Sequence, residues 1–364
     1  MIALEEGRVI KINTDISDLQ ELLVETAAQE IKKAINYPQL TGRVEIGDRV
    51  RLNTTAVRLS LGSGGFHIVT AILERVVEQP LMGSGHIMKL RYTPNQLRVL
   101  AVEEEASPHR QTMAAADDVK GMAVLAATLH SQLAPLACVL GAQGIRTAYI
   151  MTDGAALPMA YSNTVRQLKK HGLLAGTITI GHAFGGDLEA VNIYSGLLAA
   201  RHVLQAQAVI VSMGPGIVGT GTRWGFTGIE QGQVVNAAAC LCGYPVLVPR
   251  ISFADPRERH QGLSHHTLTV LERVCQVPCL LPLPVLSPLQ EEKIDGQIPK
   301  SVKRKHHIAW LDGSPVLGAV PDDIILSTMG RSAAEEQEFF LACGAAAMAA
   351  VALIRGQLLF HAAN

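Results

Sequence analysis

From Arg146 to Pro284, short apolar runs alternate with stretches of helical period, and this alternation narrows the folds open to the chain more than any other feature. The runs are R-T-A-Y-I-M-T at 146–152, G-T-I-T-I at 176–180, A-V-I-V-S-M at 208–213, V-L-V-P-R-I-S at 246–252 and C-L-L-P-L-P at 279–284. Helices are expected between them, from Asn163 to His171, Leu188 to Gln205, Glu230 to Cys242 and His265 to Cys275. Short apolar strands joined by helical crossovers make a mostly parallel, doubly wound, Rossmann-like α/β sheet covered on both faces. The first of these helices is well punctuated. Asn163 can serve as N-cap, Lys169, Lys170 and His171 sit where the macrodipole favours cations, and Gly172 can stop the helix. Upstream, Asp117 and Asp118 are expected to cap an Ala/Leu-rich helix running toward Leu140, interrupted near Pro135. Downstream, the pattern predicts a hairpin at 308–320, a strand at 323–328 and a long apolar C-terminal helix.

The first 108 residues follow a different period. Alternation of two marks strands at Gly7 to Ile12, Leu19 to Thr26, Glu30 to Tyr37, Arg43 to Leu52 and Ala56 to Leu61, with Gly47 and Asp48 as a turn. A small all-β, barrel-like domain follows from this. Two loops echo each other within it, L-G-S-G-G-F-H at 61–67 and M-G-S-G-H at 82–86. Glycine in closely packed hairpins explains both, and a lid over the second domain is the functional alternative. The acidic, proline-bearing E-E-E-A-S-P-H-R at 103–110 marks the boundary, giving domains 1–108 and 109–364.

With 364 residues the chain can bury a sizeable core unaided. Its six cysteines never form C-x-x-C and lie mostly in apolar surroundings, so they read as reduced core residues of a cytoplasmic protein, with no zinc-site spacing. A formal charge of -1 and 4% aromatic residues exclude a dedicated nucleic-acid binder. The basic cluster at 303–307 reads as a solvated loop. No apolar signal core follows the initial Met, and the uncharged run from Phe339 to Ile354 is short of a bilayer span, so no membrane partner is expected. Its alanines suit a buried helix, within one chain or across a homodimer.

In parallel α/β sheets ligands bind beyond the carboxyl ends of the strands. Four loops lie there: T-D-G-A-A-L-P at 152–158, G-H-A-F-G-G-D-L-E-A at 181–190, G-P-G-I-V-G-T-G-T-R at 214–223 and S-F-A-D-P-R-E-R-H-Q-G-L-S-H-H-T at 252–267. Gly214, Gly216 and Gly219 match G-x-G-x-x-G in form, but Arg223, Trp224, Gly225 and Phe226 intervene before the helix and no acid ends the next strand. What remains is a run of backbone donors near Thr220, Thr222 and Arg223, suited to a phosphate or carboxylate, or else a tight glycine connection. Asp187 and Glu189 are expected in the first turn of the next helix, where they would repel an anion and suit a metal, a hydroxyl or a proton transfer; Asp187 can equally be a plain N-cap. Asp153 holds the equivalent place one strand earlier. Ser264 can cap a helix whose first turn holds His265 and His266, where the dipole keeps the rings neutral as bases or metal ligands. His260 and Asp255 come from the same loop, and His182 can face them from another. The segment D-D-I-I-L-S-T-M-G-R-S at 322–332 repeats the strand, polar turn and helix pattern, though ordinary capping accounts for it.

No G-x-S-x-G, H-E-x-x-H or G-K-[ST] occurs, which removes the common hydrolase and P-loop classes. The phrases G-D-R-V-R-L-N-T-T-A at 47–56, L-G-S-G-G-F-H at 61–67 and L-S-T-M-G-R-S at 326–332 resemble a bacterial family known as domain of unknown function 3866. That resemblance implies a bacterial cytoplasmic protein and supplies no catalytic residues. The residues themselves point to an enzyme for a small anionic, phosphorylated or nucleotide-like molecule. Gly214 to Arg223 would hold the anion, Asp153 and Asp187 would orient a hydroxyl or a divalent metal, and His265 or His266 would move the proton. The alternatives are a non-catalytic metabolite-binding or regulatory protein, and a structural assembly subunit.

Overall fold

A computed structural model describes residues 1–75 and 84–358, and it divides into two compact units, Met1–Val99 and Leu100–Asn364. The split falls before the acidic 103–110 segment because that segment is tied into the second unit. Val102 N donates to Glu189 O at 2.7 Å, and Val191 N donates to Glu103 Oε1 at 2.9 Å.

In the first unit the strands Leu4–Asp15, Gln20–Thr26, Ile31–Asn36, Arg49–Asn53 and His67–Ile72 close a barrel, the fifth lying between the third and fourth. Alternation places Val9, Leu22, Val24, Val50 and Leu52 inside. Breaks in register at Val9/Lys11 and Ile12/Thr14 bend the long first strand so that one small sheet can close. The expected strand at 56–61 is instead the short helix Thr55–Arg58, started by Asn53 Oδ1 accepting from Thr55 N at 3.1 Å. Leu59 and Leu61 are exposed there, so their spacing was never that of a core face. The 61–67 loop leads into the fifth strand. Met82 and Gly83 of the second glycine loop lie outside the described residues.

The second unit is built on an eight-stranded parallel sheet in the order Leu188–Glu189, Gly176–Thr179, Thr147–Thr152, Ala208–Met213, Ala123–Ala126, Tyr244–Leu247, Leu280–Pro284, His307–Leu311. Apolar layers cover both of its faces. Several expectations need correction. The stretch after Asp117 and Asp118 is not a helix to Leu140. Lys120 and Gly121 turn at positive φ, Ala123–Ala126 enters the middle of the sheet, and the helix is Leu133–Ala142. All four strand residues are buried, and burial on both faces overrides the helical preference of alanine. Pro135 sits in the first turn of that helix, where its missing N–H costs nothing. Ser162, not Asn163, caps the next helix, accepting from Val165 N at 3.0 Å.

The 188–205 helix begins only at Ile193, capped by Asn192, because Leu188–Glu189 pairs at the sheet edge first. Pro249 follows the 244–247 strand, and Ile251–Ser252 forms a separate ribbon with Gly262–Leu263. The 308–320 hairpin is one parallel strand, His307–Leu311, followed by the short helix Val316–Ala319. Of the 323–328 strand only Ser327–Thr328 remains, turning through Met329 and Gly330 to pair with Arg331–Ser332. The C-terminal helix Gln337–Ile354 is long and apolar enough to cross a membrane, yet two thirds of it is buried against the sheet and the Leu133–Ala142 helix.

Candidate functional site

Thr147–Thr152 and Ala208–Met213 are neighbours, and the chain leaves them in opposite directions, so a crevice opens beyond their carboxyl ends. Their two loops meet there. Ala156 N donates to Pro215 O at 3.1 Å, and a Cβ on residue 214 would lie 2.6 Å from Ala156 O. Gly214 is therefore explained by this close approach. Thr220 and Thr222 turn inward, their hydroxyls 2.9 Å apart, with Thr220 Oγ1 donating to Gly225 O and Gly225 N donating to Thr222 Oγ1. Those hydroxyls hold the loop in shape. Arg223 is exposed and makes no ion pair among the described residues.

The expected acids separate. Asp153 lies at the rim, where Oδ2 accepts from His182 N at 2.9 Å. Asp187 stands opposite Thr177, at the start of its strand rather than at the rim. It accepts from Thr177 N and Thr177 Oγ1, both at 2.9 Å, and from Lys169 Nζ at 2.5 Å. Burial works against its charge, but Lys169 and Thr177 outweigh that and hold its pKa below the ordinary value. Asp187 thus fastens the edge strand.

Asp153 has a partner that sequence reasoning took only for the start of a helix. Glu230 accepts from Thr152 Oγ1 at 2.5 Å, and a Cβ on Gly154 would lie 2.8 Å from Glu230 Oε2. Burial, with a further push from the Asp153 charge, raises the Glu230 pKa to about 7. A carboxylic acid beside a carboxylate can give and take a proton near neutrality.

The richest chemistry lies in a hollow of about 230 Å³ lined by Ile217, Val218, Gly219, Gly221, three arginines, His260, His266 and Met329. Ser264 caps the His265–Thr269 helix and places both expected histidines in its first turn. Asp255 is fully buried and accepts from Arg250 Nη2 at 3.0 Å, Arg257 Nη2 at 2.7 Å and Arg331 Nη2 at 3.4 Å. Arg331 also pairs with buried Glu336, which accepts from Ser252 Oγ at 2.9 Å. Arg259, exposed at the edge of the hollow, has no carboxylate partner among the described residues. Three guanidinium groups therefore share two carboxylates, and Arg259 adds a fourth positive charge at the edge of the hollow. Asp255 is held far below the usual carboxylate range, first by its hydrogen bond from Arg257, against the cost of its burial.

The basicity of all three imidazoles is lowered, with burial as the leading cause. His260 and His266 are taken down to about 3, and His265 is lowered; arginine charge comes next at His260 and His265, and the neighbouring His265 at His266. Phe226 stacks on His266 with centroids 3.9 Å apart. His182 is held at Asp153 by its backbone and is not among the residues lining this hollow.

A second hollow, about 320 Å³, is lined by His130, Pro215, Gly216 and 325–329 among others, and shares Ile217 and Met329 with the first. His130 Nε2 lies 2.7 Å from Ser162 Oγ and its Nδ1 3.2 Å from Met213 O. The structure thus brings together Gly219, His260 and His266, with Gly216 next door, while Asp153 and Asp187 line neither hollow. Arg250, Arg257, Arg259 and Arg331 were missed as site residues. The sequence signals were the P-R-E-R-H spacing for Arg257 and Arg259, equally that of an exposed loop, and the polar turn at 322–332 for Arg331, equally that of ordinary capping.

These features define a two-unit protein: an α/β unit whose parallel sheet carries an arginine- and histidine-lined hollow, and a five-stranded barrel. The chain belongs to the family described as Protein of unknown function (DUF3866), which matches it over residues 33–347. No match to it is found among curated proteins.

Proposed function

We propose that the protein is an enzyme that binds a small anionic molecule, carrying phosphate or carboxylate, in the hollow beneath residues 217–221. The observation that carries this reading is the unbalanced charge: Arg250, Arg257 and Arg259 line the hollow, the first two share the buried Asp255, and Arg259 is left to pair with a ligand. Guanidinium groups bind phosphate and carboxylate through paired, charge-assisted hydrogen bonds. The neighbouring imidazoles supply the chemistry. Burial and the neighbouring charges depress their basicity, so the rings present free nitrogen lone pairs toward a ligand held by the arginines.

Thermal melting against inorganic phosphate, sugar phosphates, nucleotides and dicarboxylates tests the proposal. A true ligand at a hundredfold excess over its Kd stabilises the protein by about 2.7 kcal/mol, and Arg259→Ala should abolish most of the shift. An equal shift in wild type and variant would overturn the site. Turnover of the stabilising ligand would support the enzyme, and its recovery unchanged would leave a metabolite-binding protein instead.

A further inference from the structure

We propose that His260, His265 and His266 bind a divalent transition metal of the zinc class, with its open coordination position facing the arginine-lined hollow so that the bound anion completes the metal's shell. The second half rests on the anion reading above; the metal site itself does not.

The geometry comes first. The three rings form a triangle with centroid separations of 4.9 Å, 5.0 Å and 4.2 Å, and one ligand nitrogen from each lies within 4.8 Å of the others. Tetrahedral imidazole ligands about 2.1 Å from a metal stand roughly 3.4 Å apart, so small side-chain rotations close the set.

Hydrogen bonding points the same way. His265 Nε2 and His266 Nδ1 are buried without a partner, although a buried polar atom left unpaired costs about 1–3 kcal/mol. His260 Nδ1 lies 2.8 Å from Ser264 Oγ, which leaves Nε2 as its ligand atom. This is the arrangement in which a second group fixes the tautomer of a metal-bound histidine. Stacking on Phe226 fixes the plane of His266.

Three nitrogen ligands favour zinc, cobalt, nickel or copper over magnesium or calcium, and three protein ligands with an open fourth position are the pattern of a catalytic site. Charge sets the coupling. Neutral ligands leave the ion its full double charge near Arg250, Arg257 and Arg259, which repels it. An anion bridging metal and arginines removes that repulsion, so each should strengthen binding of the other.

The test is to strip the full-length protein with a chelator and titrate Co²⁺, following visible absorption, with and without sulfate. We expect one Co²⁺ per chain, not displaced by Mg²⁺, with at least ~10-fold weaker binding in His265→Gln and His266→Gln. Sulfate should tighten Co²⁺ binding about 5-fold or more in wild type and not in Arg259→Ala. Circular dichroism melts confirm that the variants fold, and stripping and reloading wild type tests the site without any variant. Wild type binding Co²⁺ no better than His265→Gln overturns the metal site, and sulfate binding to that metal-free protein would leave the anion reading standing. Co²⁺ binding that sulfate does not alter overturns the bridged arrangement, and if sulfate also fails to bind alone, it is the anion reading that has failed.

Discussion

Glu230 is the residue whose role depends most on its surroundings. In sequence it is one acid at the start of a helix, a place where acids are common. In the fold it is mostly buried beside Asp153, and its pKa rises from 4.5 to about 7. A carboxyl group whose folded pKa lies above its unfolded value contributes stability that is complete below the unfolded pKa and is lost as pH climbs through the folded one. The window here runs from about pH 4.5 to about pH 7. Glu230→Gln, which keeps an acceptor for Thr152, should therefore gain on wild type as pH rises through that window, by on the order of 3 kcal/mol at its upper end. Melting temperatures of the two proteins from pH 4 to pH 8 check this, and a gap that stays constant with pH would refute the proton assignment. Asp255 shows the opposite balance, since its guanidinium partners more than offset its burial. Neither environment could be read from the residue type: Glu230 is set by Thr152 and Asp153, distant in sequence, and Asp255 by how its loop folds back to bring Arg250 and Arg257 onto one carboxylate.

At the level of elements, Thr147–Thr152 and Ala208–Met213 were legible because a β-branched run bounded by polar turns permits little else. Ala123–Ala126 was not, since alanine carries no β signal and only burial in the centre of the sheet makes it a strand. Leu188–Glu189 was missed for a related reason: two residues have no period. The C-terminal helix was legible as an element, but its closest contact was not. Gly313 and Gly344 meet so tightly that a Cβ on Gly344 would lie 2.1 Å from Gly313 O, and one on Gly313 would lie 2.1 Å from Leu341 O. Gly344→Ala gains helix propensity but must push backbone apart, so it should cost about 1–3 kcal/mol net. A urea midpoint equal to or above that of wild type would show that the helix shifts freely.

For the whole molecule, the residues of the hollow and of the histidine cluster come from Ile217 to Met329, all within the Leu100–Asn364 unit. A chain beginning at Leu100 should therefore melt cooperatively and keep the ligand-induced shift of the full-length protein. Cooperative melting with the shift lost would show that the barrel is needed for binding.

The sequence by itself determined the period of each segment, and with it a β-rich first part, a parallel α/β second part and the four polar loops that follow its strands. Those properties depend on neighbours a few residues away. Only the tertiary structure decided which loops share a hollow, drawing Asp187 away to Thr177 and Lys169 while bringing Arg250, Arg257 and Arg259 around His260 and His266. The hollow closes only because Ile217 to Gly221 and Met329 reach the loop that carries them from tens of residues away, and the burial and charge balance they create act through space, where no local pattern encodes them.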